Sequence, residues 1–77
     1  MKTVKVYSTP TCPWCVKVKD FLSRRNILFE DIDVSKDPDN AKELLEVSGQ
    51  YGVPVITMDD QIVIGFDPIR IEELLKE

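Results

Sequence analysis

Residues 9–21 read T-P-T-C-P-W-C-V-K-V-K-D-F and contain the chain's only two cysteines, Cys12 and Cys15. Pro13 suits the first position of a helix, because its missing N–H is one that no helix would bond and its fixed φ is already helical. Val18, Phe21, Leu22 and Arg25 then recur at i, i+3, i+4 spacing, which predicts a helix from Pro13 to about Asn26. Lys17, Asp20 and Arg24 fall on its wet side, where they are spaced to pair.

Upstream, T-V-K-V-Y-S alternates Val4 and Val6 with Lys5 and Tyr7, the period-2 pattern of a strand. Downstream, residues 27–34, I-L-F-E-D-I-D-V, form a second strand, close enough after the helix to make a right-handed parallel β-α-β unit. Asp37 is placed to cap the next helix and Pro38 to open it. Ala41, Leu44 and Leu45 supply its apolar stripe, and Gly49 suits its end. G-V-P-V-I-T-M is a third strand with its proline at the start, since proline cannot donate to the ladder. Asp59-Asp60 is a polar turn, and residues 61–65 return as an antiparallel fourth strand. Asp67 and Pro68 repeat the cap-and-open device for a last helix carrying Ile71, Leu74 and Leu75. The order β-α-β-α-β-β-α makes an α/β fold, and residues 1–77 are expected to form a single domain without linker or repeat.

No apolar run is long enough for a signal peptide or a membrane span, so the expected location is cytoplasmic, with no membrane partner. The net charge of −4 argues against nucleic acid, whose phosphates call for clustered Lys and Arg. The charge is uneven: residues 1–36 sum to +3 and residues 37–77 to −7, and the cysteines lie in the basic part. With no histidine, Cys-His proteolysis and His-ligated metal sites are excluded.

In a reducing compartment a cysteine pair is redox-active or metal-binding rather than a structural staple. A structural zinc site takes four Cys or His ligands and this chain offers two. Two chains together offer four thiolates for zinc or an iron–sulfur cluster, but nothing else in the sequence calls for that. A disulfide closing so short a ring is worth only roughly 2 kcal/mol. Redox chemistry accounts for the placement better. With Pro13 as the first helical residue, Cys12 is the N-cap, and its sulfur lies by the unpaired N–H groups of Trp14 and Cys15, which together with the helix end favour the thiolate. Cys15, one turn in, is less exposed yet near enough to attack a mixed disulfide on Cys12. Trp14 either shields the pair or presents an apolar surface to a partner. Lys17 and Lys19 read as solvated side chains, and Tyr7 as strand-end packing.

V-Y-S-T-P-T-C-P-W-C resembles the active-site segment of glutaredoxins, and S-G-Q-Y-G-V-P-V-I resembles the segment carrying their cis-proline. The resemblance covers essentially the whole chain. It implies a minimal thioredoxin fold: a four-stranded mixed sheet in the order second, first, third, fourth, with the last two antiparallel and helices on both faces. It also implies a cis Val53–Pro54 bond facing the cysteines, with the Val53 backbone offered to a bound peptide or glutathione. Cys12 and Cys15 are then catalytic, and Thr11, Pro13, Trp14, Val53, Pro54, Phe66 and Asp67 bind substrate. No cofactor or metal is required of a monomer serving electron transport and cell redox homeostasis.

Several positions depart from the glutathione-using pattern. Thr9 stands where those proteins commonly have lysine, Gly52 precedes Val53-Pro54 where they often have threonine, and Ile64-Gly65 stands where they often have two glycines. Gly65-Phe66-Asp67-Pro68 is similar instead to the G-F-x-P of NrdH-type redoxins, which thioredoxin reductase reduces. Asp67 still matches an acidic residue that contacts the glutathione amine in the family. The expectation is a dithiol-disulfide oxidoreductase acting on protein or small-molecule disulfides and recharged by thioredoxin reductase. The alternatives are a glutathione-dependent glutaredoxin and a glutathione-ligated iron–sulfur carrier, the last disfavoured by the stiff Pro13 and recognisable by a brown as-isolated protein.

Overall fold

The structure, a computed structural model, describes residues 3–76. Its elements are β1 (Val4–Ser8), α1 (Pro13–Arg24), β2 (Glu30–Asp33), α2 (Pro38–Ser48), β3 (Val55–Met58), β4 (Gln61–Ile64) and α3 (Pro68–Leu75). The four strands form one sheet in the order β2-β1-β3-β4. β1 and β2 run parallel, while β3 is antiparallel to both β1 and β4. This is the expected mixed sheet of the minimal thioredoxin fold.

Alternation along β1 sorts the core onto two faces. Val4 and Val6 point to one side, where Val18 and Leu22 of α1 and Ile71 and Leu74 of α3 close over them with Ile56, Met58 and Val63. Tyr7 points to the other side, with Leu44 of α2 and Val55. Two helices therefore cover one face and a single helix covers the other. Within α2 only Leu44 is fully buried, while Ala41 and Leu45 lie at the margin.

All three helices open on proline behind a residue whose side chain accepts a backbone N–H. Asp37 takes that of Asp39 at 2.9 Å and Asp67 that of Arg70 at 3.1 Å. Cys12 does the same with sulfur. The caps satisfy donors that the first turn leaves orphaned.

Boundaries of α1, β2, β3 and β4 differ from the sequence reading, β3 beginning at Val55, just past the proline, rather than at Gly52. α1 stops at Arg24 because Asn26 takes a left-handed φ of 58°, and the N–H groups of Asn26 and Ile27 return to the carbonyls of Ser23 and Leu22 at 3.1 Å each. β2 begins at Glu30 rather than at residue 27, since Ile27 and Phe29 pack onto the core while the chain turns back. β4 ends at Ile64, because Gly65 already turns at φ 83°. Among the described residues no helix is long and apolar enough to cross a membrane.

Candidate active site

The sheet register gathers three loops at one end of the molecule. Tyr7 lies opposite Val55, and Val55 opposite Ile64. The residues that follow β1, those that precede β3 and those that follow β4 therefore leave the sheet together. These are residues 9–12, which end on Cys12 with Cys15 one helical turn beyond, the Val53–Pro54 pair, and Gly65-Phe66-Asp67.

Cys12 is the N-cap of α1, extended at φ −94° and ψ 110°, with its own N–H bonded to the Thr9 carbonyl at 3.3 Å. The backbone N–H of Cys15 donates to Cys12 Sγ at 3.1 Å. Both cysteines are free thiols, but their surroundings differ: Cys12 is half-buried, whereas Cys15 is fully buried. Burial, followed by the hydrogen bond with Cys12, pushes the Cys15 thiol up from 9.0 to about 11; the Thr9 backbone and the Lys19 cation pull the other way. The pair thus joins one accessible sulfur, supported by an amide donor, to one protected thiol a single turn away.

An aromatic surface begins at Trp14, between the two cysteines in the chain. Trp14 is 54% exposed. Its ring centroid lies 6.4 Å from that of Phe66, which meets Phe21 edge-on at 5.8 Å. Lys17, read from the sequence as a solvated side chain, is exposed and also lays its ammonium 4.4 Å over the Trp14 ring, a cation–π contact made across i, i+3. Arg24 does pair with Asp20, at 2.9 Å.

The Val53–Pro54 peptide bond is cis. Pro54 is buried and Val53 half-buried, and the Pro54 carbonyl accepts the Gly65 N–H at 2.8 Å, tying the second loop to the third. Thr11 and Pro13 are exposed beside the cysteines in the chain. Asp67 is exposed, with one carboxylate oxygen committed to capping α3. Tyr7 is buried as packing, but its hydroxyl also donates to Glu43 Oε2 at 2.9 Å, anchoring α2 to the sheet; burial and then that carboxylate raise its phenol well above the ordinary range.

One cluster escaped the sequence reading. Lys19 Nζ lies 2.8 Å from Asp31 Oδ2, and Asp31 Oδ1 accepts from the buried Ser8 hydroxyl at 2.8 Å. The spacing of Lys19 from Cys15, one helical turn, was the available signal. Asp31 carries none until β2 is set in register against β1.

The glutaredoxin family model matches residues 4–63. An uncharacterised glutaredoxin-like 8.6 kDa protein of the rubredoxin operon in Clostridium pasteurianum is 45% identical over 74 residues, covering 96% of this chain and 99% of its own. The glutaredoxin-like protein NrdH of Lactococcus lactis is 37% identical over 71 residues, covering 92% and 97% respectively. The Escherichia coli NrdH-redoxin, solved to explain its thioredoxin-like activity profile, superposes with a TM-score of 0.81 at 30% identity, over 94% of this chain and 93% of that one. A match over most of the chain, joined to this fold and this cysteine pair, places the protein in the glutaredoxin family, whose members are thiol-disulfide oxidoreductases.

Proposed function

We propose that the chain is a cytoplasmic, monomeric dithiol redoxin that reduces disulfides of protein substrates and is recharged by thioredoxin reductase or a similar flavoprotein. The observation that carries the division of labour is the unequal setting of the two sulfurs, one accessible beside an amide donor and one buried.

The Cys12 thiolate attacks one sulfur of the substrate disulfide. A Cys12–substrate S–S bond forms, the substrate bond breaks, and the departing sulfur takes up a proton. Deprotonated Cys15 then attacks Cys12 Sγ, forming the 12–15 disulfide and expelling the second substrate thiol, so that two electrons have passed to the substrate. The reductase restores the dithiol with two electrons from NADPH. Thr11, Pro13 and Trp14 flank the attacking sulfur, and the Val53 backbone beside Pro54 receives an extended stretch of substrate. Phe66 extends the apolar surface of Trp14.

The choice of reductant rests on charge and shape. Glutathione brings two carboxylates and an amine, and a small polar thiol gains affinity only from fixed partners for each. Thr9 supplies no positive charge, Gly52 no side chain, and Ile64 adds bulk beside Gly65. A flavoprotein with an apolar docking face is better matched to Trp14 and Phe66. The likeness to NrdH proteins supports the same choice.

Loss of the 12–15 disulfide is to be followed with NADPH plus thioredoxin reductase and, in parallel, with NADPH, glutathione and glutathione reductase. Faster reduction in the first mixture is expected. Efficient turnover only in the second returns the protein to the glutathione-dependent glutaredoxins.

A further inference from the structure

Lys19 follows Cys15 by four residues, so both side chains emerge from the same face of α1. A lysine stem is flexible and seldom fixed without a partner. Here it is held. Asp31 sits on β2 opposite Val6, on the sheet face that α1 covers, and its two carboxylate oxygens have different tasks. Oδ1 is fixed by the buried Ser8 hydroxyl of β1, and Oδ2 holds the Lys19 ammonium at 2.8 Å. The lysine side chain keeps only 28% of its exposure, against 80% for Arg24 in the surface pair with Asp20. Asp31 itself stays 47% exposed, so the pair spans the rim of the junction of α1, β1 and β2, fixed from the inner side by Ser8.

We propose that Lys19 is a positioning residue for the second half of the exchange, its ammonium group anchored by Asp31 and Ser8 so that positive charge stands behind Cys15 when that buried thiol must become a thiolate. The proposal rests on the reading above, in which Cys15 resolves the mixed disulfide. In that step Cys15 gives up its proton, its sulfur bonds to Cys12 Sγ, the Cys12–substrate S–S bond breaks, and the leaving thiolate takes up a proton. Lys19 stays protonated throughout and exchanges no bond. What it changes is the cost of placing negative charge in an apolar site.

The groups bearing on the Cys15 sulfur agree with this. Cys12, on the same helix, opposes its ionisation; the Thr9 backbone, which follows β1, favours it; Lys19 is the cation that favours it. Asp31 of β2 is already engaged by Ser8 and Lys19.

The test uses dithiobis(nitrobenzoate), an aromatic disulfide whose leaving thiolate is coloured. Cys12 releases the first equivalent in a step that depends on reagent concentration. Resolution by Cys15 releases the second in a step that does not, and this step is followed against pH by stopped flow. For each tenfold loss of thiolate the remaining thiolate becomes about threefold more nucleophilic, so the net loss is about threefold per pH unit of displacement. Lys19→Met is therefore expected to slow the second step about threefold or more near neutrality and to move its pH profile upward. Lys19→Arg is expected to restore both. Lys19→Gln serves as a second neutral variant should Lys19→Met fail to fold by circular dichroism. A folded neutral variant with the wild-type rate and pH profile overturns the proposal, as does a folded Lys19→Arg that matches the neutral variants. A Cys15→Ser chain that still releases a second equivalent overturns the assignment of Cys15 itself, a failure separate from that of Lys19.

Discussion

The Cys15 amide points at the Cys12 sulfur across 3.1 Å, so the residue that buries its own thiol also donates a hydrogen bond to its neighbour's sulfur. That donor belongs to the backbone and survives replacement of the side chain. Cys15→Ser is therefore expected to keep attacking disulfides and to accumulate a mixed disulfide on Cys12, while Cys12→Ser falls to the uncatalysed exchange rate. Mass spectrometry after incubation with a disulfide substrate reads both. An adduct trapped on Cys15 in the Cys12→Ser chain reverses the assignment.

Alkaline pH is expected to destabilise the reduced protein through the same buried thiol. With its folded value raised from 9.0 to about 11, Cys15 contributes stability that is fully present below pH 9.0 and is lost as pH rises through about 11. Tyr7 has the same sign and begins to lose its contribution above its ordinary value of 10.0. Urea unfolding of the reduced wild type and of Cys15→Ser, from about pH 8 to about pH 11, separates them. The wild type should lose about 2 kcal/mol more than the variant across that range. Parallel profiles would mean that burial does not set the Cys15 titration.

Asp67 has two candidate tasks that substitution can separate. As the cap of α3 its carboxylate accepts the Arg70 N–H, and loss of such a cap costs about 1 kcal/mol, whereas Asn preserves it to within a few tenths. Asp67→Ala is expected to lower the urea midpoint and Asp67→Asn to leave it nearly unchanged. Neither should alter turnover with thioredoxin reductase by more than about twofold beyond its effect on stability. A selective loss of glutathione-driven turnover in Asp67→Asn would show the carboxylate binding the glutathione amine.

Trp14 is expected to act in docking. Trp14→Ala removes the ring that Phe66 and Lys17 flank without touching either cysteine. Steady-state kinetics with thioredoxin reductase should show KM rising about tenfold, the equivalent of about 1.4 kcal/mol, with kcat changed little. A fall in kcat at constant KM would place the indole in the exchange step instead.

Local signals carried the reading of the fold furthest. Cys12-Pro13, Asp37-Pro38 and Asp67-Pro68 each state a helix start within two residues, and all three helices begin there. The start of β2 was less legible, because Ile27 and Phe29 are apolar and β-compatible whether they pair in a sheet or pack beneath one. Only the left-handed Asn26 shows how the chain leaves α1. In the site, the two cysteines were readable from spacing, and Trp14, from its place between them, as a shield or an apolar surface for a partner. Lys17 and Lys19 were not: each looks like any helix-surface lysine until the ring of Trp14 or the carboxylate of Asp31 is in place, and the latter depends on strand pairing across many residues.

Trp14 is the only tryptophan in the chain. It lies between the two cysteines and is more than half exposed. Its fluorescence is consequently an optical report from the reaction centre, without background from any other indole. Conversion of the neighbouring thiols to a disulfide alters quenching of that emission, and a partner seated over the ring withdraws it from water and shifts its colour. Redox state and docking are thereby observable in the same unlabelled sample, at working concentration and in real time.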